Sequence, residues 1–148
     1  MANTYTQIYI HVVFSVKRRQ NLIRKEFKEE LHKYIAGIIR NKDQKLIAIN
    51  SVSDHIHVFM GLKPNVCLSD LVREIKTSRF VNEKRWVKGR FNWQEGFGAF
   101  SYGHSQMNVV VKYIQNQERH HSKKTFQDEY IELLKKFNVD FDIKYAFD

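Results

Sequence analysis

Two β-rich runs separated by only two polar residues constrain the fold of this 148-residue chain more than any other feature. The runs are Lys45 to Val52 and His55 to Leu62, and Ser53-Asp54 lies between them. Such a short polar break between two strands favours a tight antiparallel turn. The sequence therefore predicts a β-hairpin and, with it, an antiparallel sheet.

The other periodic segments predict strands and helices around this hairpin. Tyr5 to Val16 has the composition of a strand buried on both faces, which belongs in the middle of a sheet. Arg24 to Arg40 repeats apolar residues at helical spacing, and a second helix with Ser69 as its cap follows the hairpin. With a fourth strand at Gly98 to Tyr102, the order is β-α-β-β-α-β. This order is that of an α+β, ferredoxin-like antiparallel sheet with helices on one face and an open face for ligands.

The C-terminal third predicts two more helices. Ser105 is expected to cap a helix that runs to about Arg119, and Thr125 to Phe137 is amphipathic. The segment after Phe137 alternates enough to form one more strand or a docking arm. Because no repeat or low-complexity linker interrupts the chain, we expect one domain over residues 1–148.

The formal net charge of +9 favours a polyanionic partner, with nucleic acid as the default. The basic residues are spread among apolar segments, so a solvated surface with excess positive charge is the alternative. Trp93 or Phe97 could stack a base. The basic candidates for DNA binding are Lys17, Arg18, Arg19, Lys76 and Arg79.

Cysteine usage and hydropathy indicate a cytoplasmic protein. The lone Cys67 cannot form an intramolecular disulfide, and the segment MANTYTQIYI lacks the charged region and long apolar stretch that secretion requires. No apolar run approaches the roughly 18 residues of a membrane-spanning helix. We therefore expect no membrane insertion.

The strand from His55 to Leu62 carries two histidines on one face, because residues two apart in a strand project to the same side. Imidazoles in an apolar strand need partners that offset their desolvation, and a metal ion shared by His55 and His57 would provide them. Half-buried surface histidines are the alternative. Structural zinc would want thiolates, which one cysteine cannot supply.

Tyr113 and Gln117 lie four residues apart on the predicted third helix and therefore share a face, from which both could meet that metal ion. A phenol with a pKa of about 10 is a poor nucleophile unless a cation stabilises its phenolate. On its own, Tyr113 is more typical of a core residue. Two imidazoles and an amide oxygen leave positions open for a phosphate, which suits Mg²⁺ or, given the nitrogens, Mn²⁺. Protonation of the histidines should compete with the metal below about pH 6.5.

The strings DHIHVFMGL and YIQNQERHH resemble the paired signatures of the single-tyrosine HUH transposases of the insertion-sequence-200 type. The similarity also covers YTQIYIHVVFSVKRR, LSDLVREIKTSR, FNWQEGFGAFS and TFQDEYIELLKKF, and so nearly the whole chain. In this family, two histidines hold a divalent ion, a tyrosine attacks DNA and a glutamine completes the metal shell. The resemblance implies these roles for His55 and His57, Tyr113 and Gln117, respectively.

The resemblance further implies cleavage of single-stranded DNA at hairpin-containing ends. Tyr113 would become joined to the 5′ phosphate, and the retained bond energy would let another 3′ hydroxyl rejoin the DNA without ATP. It also implies a nucleoid-associated homodimer in which the tyrosine helix acts in the partner's site. His120 and His121 are expected to be exposed, facing phosphate and outside the metal shell.

Two other functions compete with this interpretation. A non-catalytic module could bind RNA on a ferredoxin-like sheet, but it would expose aromatic residues on the central strands, where this chain has His55 and His57. The second competing function is that of a domesticated or degenerate transposase that still binds DNA. The motif residues do not separate it from an active enzyme.

Overall fold

A computed structural model of the protein describes residues 4–147. Four strands form one antiparallel sheet in the order β2-β3-β1-β4, which confirms the predicted topology and the central place of the first strand. The strands are β1 (Ile8–Ser15), β2 (Lys45–Ser51), β3 (His55–Leu62) and β4 (Gly98–Tyr102).

Six α-helices and two short 3-10 turns connect and cover the strands in the described residues. The turns are Lys17–Arg19, directly after β1, and His104–Gln106. The helices are α1 (Lys25–Asn41), α2 (Leu68–Ile75), α3 (Arg79–Lys84), α4 (Met107–Gln115), α5 (Gln117–His121) and α6 (Phe126–Lys136).

One face of the sheet holds the main apolar core. Phe14 of β1 and Val58 of β3 are fully buried there. They belong to the same cluster as Leu31 and Ile35 of α1 and Leu71 of α2. Removal of these side chains from water drives the packing of α1 and α2 onto the sheet, as predicted.

The opposite face was expected to be open, but later helices cover part of it. Phe59 of β3 packs with Val110 and Ile114 of α4. Val13 of β1 lies in a separate cluster with Tyr130 of α6. This second face, which we call the histidine face, is the one that carries His55 and His57, so the site forms between the sheet and α4–α6.

Two predicted helix starts are wrong. Ser69 is not the cap of α2, because the helix begins at Leu68 and Cys67 occupies the cap position without a side-chain hydrogen bond. Ser105 lies inside the 3-10 turn that precedes α4, and no side chain caps that helix. Thr125 does cap α6, since its Oγ1 accepts a hydrogen bond from the backbone N–H of Asp128 at 3.2 Å.

The predicted third helix is broken at Asn116. Asn50 of β2 donates from Nδ2 to the carbonyl oxygens of Ile114 (2.8 Å) and Gln115 (3.3 Å). The last carbonyls of a helix need partners from outside it, and here a strand provides them. The break therefore follows from a tertiary contact, and it fixes the end of α4 to the sheet.

The segment after α6 forms turns, so the predicted strand is wrong for residues 138–147. The docking-arm alternative fits, because the Phe147 ring lies 6.0 Å from that of Tyr130 and 6.4 Å from that of Phe126. Among the helices described, none is long and apolar enough to cross a membrane.

Candidate metal centre and active site

The pair of histidines lies in the middle of the sheet. His55 is paired with Ser15 of β1, His57 with Val13, and both imidazoles are fully buried. Because β3 is hydrogen-bonded on both sides, the positions of these two side chains are rigidly fixed.

Four potential ligand atoms converge at this point. Glu129 Oε1 lies 3.2 Å from His55 Nε2, 3.0 Å from His57 Nε2 and 3.0 Å from His121 Nε2. Ligand atoms of these four residues all lie within 4.8 Å of one another, so the group could hold a metal ion. We call it the four-donor cluster.

The other ring nitrogen of each histidine in the four-donor cluster also has a partner. His55 Nδ1 lies 2.7 Å from Asp54 Oδ1, and His121 Nδ1 lies 2.7 Å from the carbonyl oxygen of Lys124. His57 Nδ1 lies 2.7 Å from Nε2 of the buried His11. In metal sites, such partners of the second nitrogen fix the ring orientation and aim the first nitrogen at the ion.

Helix α6 approaches the sheet closely enough to place Glu129 in the cluster. Gly98 of β4 permits this approach, because a Cβ atom at that position would lie 2.7 Å from Cε1 of Tyr130. Glu129 is 1% exposed although it carries a carboxylate, and a buried carboxylate needs charged or hydrogen-bonding partners.

The electrostatics of the cluster centre on Glu129. Burial raises the pKa of this carboxyl, but hydrogen bonds with His121, His55 and His57 outweigh it and hold the pKa far below its usual range. Burial lowers the pKa of His55, whereas its contacts with Asp54 and Glu129 raise the pKa overall. For His57, burial dominates and lowers the pKa.

Tyr113 lies beside the cluster of its own chain. Its hydroxyl donates a hydrogen bond to Glu129 Oε2, and its ring is 5.8 Å from that of His57 in an edge-to-face contact. Burial and the Glu129 charge raise the pKa of the phenol well above its usual value. In this arrangement, Tyr113 is a neutral phenol held at the edge of a histidine cluster.

Gln117 lies where sequence spacing suggested, in the buried interior beside the histidines. Its Oε1 is 3.4 Å from His55 Nε2, and its Nε2 donates to Glu129 Oε2 at 3.3 Å. The expectation for His121 is wrong: its side chain is only 11% exposed and belongs to the cluster. His120 is more exposed, and its Nε2 lies 3.4 Å from Glu129 Oε2.

The basic candidates fall into two groups. Lys17, Arg18 and Arg19 follow the end of β1, next to the strand end that carries His55. Lys76 is instead on the main-core side, where it donates to the carbonyl oxygens of Glu95 and Gly96. Arg79 begins α3 and pairs with Glu83.

The aromatic candidates for base stacking are not both accessible. Trp93 is only 6% exposed and packs edge-to-face against Phe14 and Phe91, each with ring centroids 4.8 Å away. It is therefore a core residue, and the stacking role suggested for it is wrong. Phe97 is half-buried at the edge of the same core.

A cavity of about 290 Å³ opens beside Tyr113. Its walls are mainly apolar and come from α4 and α6, including Val109 and Leu133. Tyr102 and Lys136 also line it, with Lys136 Nζ 5.6 Å above the Tyr102 ring. Tyr113 and Glu129 both line this cavity.

Sequence reasoning missed Glu129 and His11. Glu129 interrupts the apolar stripe of α6 between Phe126 and Leu133, and a carboxylate within such a stripe signals a buried polar role. His11 interrupts the apolar strand β1 in the same way. Neither signal identifies the partner, which lies in a distant part of the chain.

The sequence is similar to those of known proteins. The sequence model of a family described as "Transposase IS200 like" matches residues 4–117. The ISDra2 transposase TnpA of Deinococcus radiodurans is 22% identical over 120 residues, which cover 75% of this chain and 84% of that relative.

Two solved structures share the fold. The crystal structure of a candidate transposase from Deinococcus radiodurans has a TM-score of 0.60 and 19% identity, covering 79% of this chain and 95% of the other. A REP-associated tyrosine transposase, bound to a REP hairpin in its structure, also has a TM-score of 0.60 and 19% identity. That match covers 82% of this chain and 73% of the other.

Proposed function

Because the chain belongs to the family of IS200-like transposases, we propose that it cleaves and rejoins single-stranded DNA at hairpin-containing ends, with Tyr113 as the nucleophile. One observation carries the proposal. The Tyr113 hydroxyl and the histidine pair contact opposite oxygens of the same buried carboxylate, Glu129. Nucleophile and candidate ligands are thus held together in one chain.

The residues present fit a divalent ion. His55 and His57 would hold it, with Gln117 as the third ligand that the resemblance implies, and Mn²⁺ or Mg²⁺ suits such nitrogen and oxygen donors. When bound, the ion would polarise the target phosphate and favour the phenolate form of the nucleophile. The raised pKa of Tyr113 supports a role for a cation, since the neutral phenol attacks poorly.

The chain's own residues position the reaction. Glu129 and the packing against His57 hold the phenol oxygen in one place, while Asn50 anchors the helix that carries it. Attack forms a bond between Tyr113 Oη and phosphorus as the bond to the 3′ oxygen breaks. The phenol loses its proton and the 3′ oxygen gains one, so the phosphodiester energy is retained for rejoining.

We propose that the DNA strand reaches Tyr113 through the cavity between α4 and α6. The aromatic ring of Tyr102 and the ammonium of Lys136 suit a nucleotide next to the cleaved phosphate. Lys17, Arg18 and Arg19 supply positive charge near the end of β3 that carries His55. Lys76 and Arg79 would contact more distant phosphates.

The experiment that tests the function is a covalent-adduct assay. The protein is incubated with Mn²⁺ and labelled single-stranded hairpin DNA, and products are separated on a denaturing gel. We expect a protein–DNA band that Tyr113→Phe removes and that Tyr145→Phe, at an exposed tyrosine, retains. Binding without an adduct across varied hairpins would instead favour a degenerate, binding-only protein.

We also propose a homodimer in which the tyrosine helix can act in the partner's site. The contact between Tyr113 and its own chain's Glu129 supports a resting arrangement in cis. Mixing Tyr113→Phe with His57→Ala subunits separates the two cases. Recovered adduct would show action in trans, whereas no adduct would show that each chain uses its own tyrosine.

A further inference from the structure

The match to the family ends at residue 117, but two members of the four-donor cluster lie beyond it. We propose that His121 and Glu129 complete the metal centre, so that three imidazoles and one carboxylate hold the ion. This inference rests on the proposed function only for the presence of an ion at His55 and His57. It assigns a ligand role to a C-terminal segment outside the matched part.

The first argument is the convergence of three imidazole nitrogens on one carboxylate oxygen. Glu129 Oε1 has three imidazole nitrogens at 3.0–3.2 Å; those of His57 and His121 are within hydrogen-bond geometry of it, and that of His55 contacts Gln117 Oε1 at 3.4 Å. Its other oxygen is occupied by Tyr113 and Gln117. A cation among these atoms provides a partner for all four donors at once.

The second argument comes from the outer ring nitrogens. The carbonyl oxygen of Lys124 can only accept, so His121 donates its Nδ1 proton to it and Nε2 is the nitrogen left to bind an ion. Asp54 imposes the same tautomer on His55. Both Nε2 atoms face the centre of the cluster, where metal ligation requires them.

The donor set has a consequence for the choice of metal. Three imidazole nitrogens suit Mn²⁺, Co²⁺ or Zn²⁺ better than Mg²⁺, which prefers oxygen ligands and retains its waters. Four donors, before the amide oxygen of Gln117 is counted, still leave open positions on a six-coordinate ion such as Mn²⁺. A phosphate oxygen of DNA can occupy one of them.

The test is a titration of the metal-free full chain with Mn²⁺, followed by the electron paramagnetic resonance signal of the free ion. We expect Glu129→Gln and His121→Ala each to weaken Mn²⁺ binding at least about tenfold, the low end of what loss of even an outer partner costs. The matched controls are Glu132→Gln, one turn further along α6, and the exposed His104→Ala. Both controls should bind as the parent does.

Binding that is unchanged in Glu129→Gln and His121→Ala, but lost in His57→Ala, would overturn the inference. A variant that misfolds would also lose Mn²⁺ binding, so hydrogen exchange is measured on the unsubstituted chain as a second test. Mn²⁺ should slow amide exchange throughout α6, because the ion would join Glu129 to β3. Slowing confined to β3 and α5 would show that the C-terminal helix supplies no ligand.

The outcome is independent of whether the protein cleaves DNA. Tyr113→Phe should retain Mn²⁺ binding while it loses the covalent adduct. If the parent chain binds Mn²⁺ through Glu129 but forms no adduct with any hairpin, the metal centre stands and the cleavage function fails. If adducts form and Glu129→Gln binds Mn²⁺ normally, the cleavage function stands and the ligand role of Glu129 fails.

Discussion

The two faces of the sheet use the same strands for different purposes. On one face, Phe14 and Val58 pack into an apolar core with α1 and α2. On the histidine face, β1 holds His11 and β3 holds His57, and α4–α6 bring a tyrosine and a carboxylate to them. Because successive strand residues point to opposite sides, stability and chemistry are separated by one position along the chain.

The faces also differ in what a substitution should cost. The main core consists of apolar side chains whose removal leaves a cavity. The histidine face contains buried polar groups that contact one another and are expensive to leave unpaired. Stability should therefore respond mainly to the first face, and DNA cleavage and metal binding to the second.

The largest expected effect is on the main core. Phe14→Ala should lower the free energy of unfolding by about 3–5 kcal/mol, because Phe14 is fully buried and its loss leaves a cavity. Urea denaturation measures the change. Mn²⁺ binding by the folded fraction should be retained, and its loss would show that the two faces are not separable.

The next effect is on the histidine face. His57→Ala should reduce adduct formation by more than about a hundredfold, since loss of even an outer partner of a metal site costs up to that much. Gel quantification of adduct against time gives the ratio. His104→Ala, at an exposed histidine, serves as the control; an adduct rate in His57→Ala equal to that of this control would remove His57 from the site.

A smaller effect is expected where α6 meets β4. Gly98→Ala should cost about 1–3 kcal/mol, because the new methyl group would overlap Tyr130 and displace α6. Thermal unfolding and Mn²⁺ titration should both show weakening, since Glu129 moves with the helix. Gly103→Ala, with no atom within 4 Å of its added Cβ, should change neither.

The smallest effect concerns pH. Burial, together with the Lys28 charge, lowers the pKa of His32 to about 4 from its ordinary value of 6.5. The unfolded chain therefore binds a proton first, and stability falls as pH drops from 6.5 towards 4. His32→Gln should remove on the order of 1 kcal/mol of this loss at pH 5, allowing for partial exposure. Metal-free urea unfolding at pH 7 and pH 5 tests it, and identical pH dependence in both proteins would contradict it.

The local features of this molecule were predictable from its sequence. The hairpin around Ser53-Asp54 was predictable because strand composition and a polar turn are both local signals. The shared face of His55 and His57 follows from the strand period alone. The buried position of Gln117 and its contact with Tyr113 follow in the same way from helical spacing.

Three of the missed features depend on contacts between distant segments. The break at Asn116 arises because Asn50 caps α4 from another element. Trp93 has an aromatic side chain that could stack on a base, but Phe14 and Phe91 pack against it in the core. Glu129 belongs to the site because Gly98 lets α6 approach, which no local pattern reveals.

The position of Glu129 along the chain also sets the order in which the site is completed during synthesis. The ribosome produces the histidine pair first, then Tyr113, and Glu129 only afterwards. A nascent chain that has already folded its sheet therefore still lacks the carboxylate that contacts both Tyr113 and the histidines. Tyr113 can be held by Glu129 only after α6 has emerged, so the proposed cleavage would begin later than folding of the sheet.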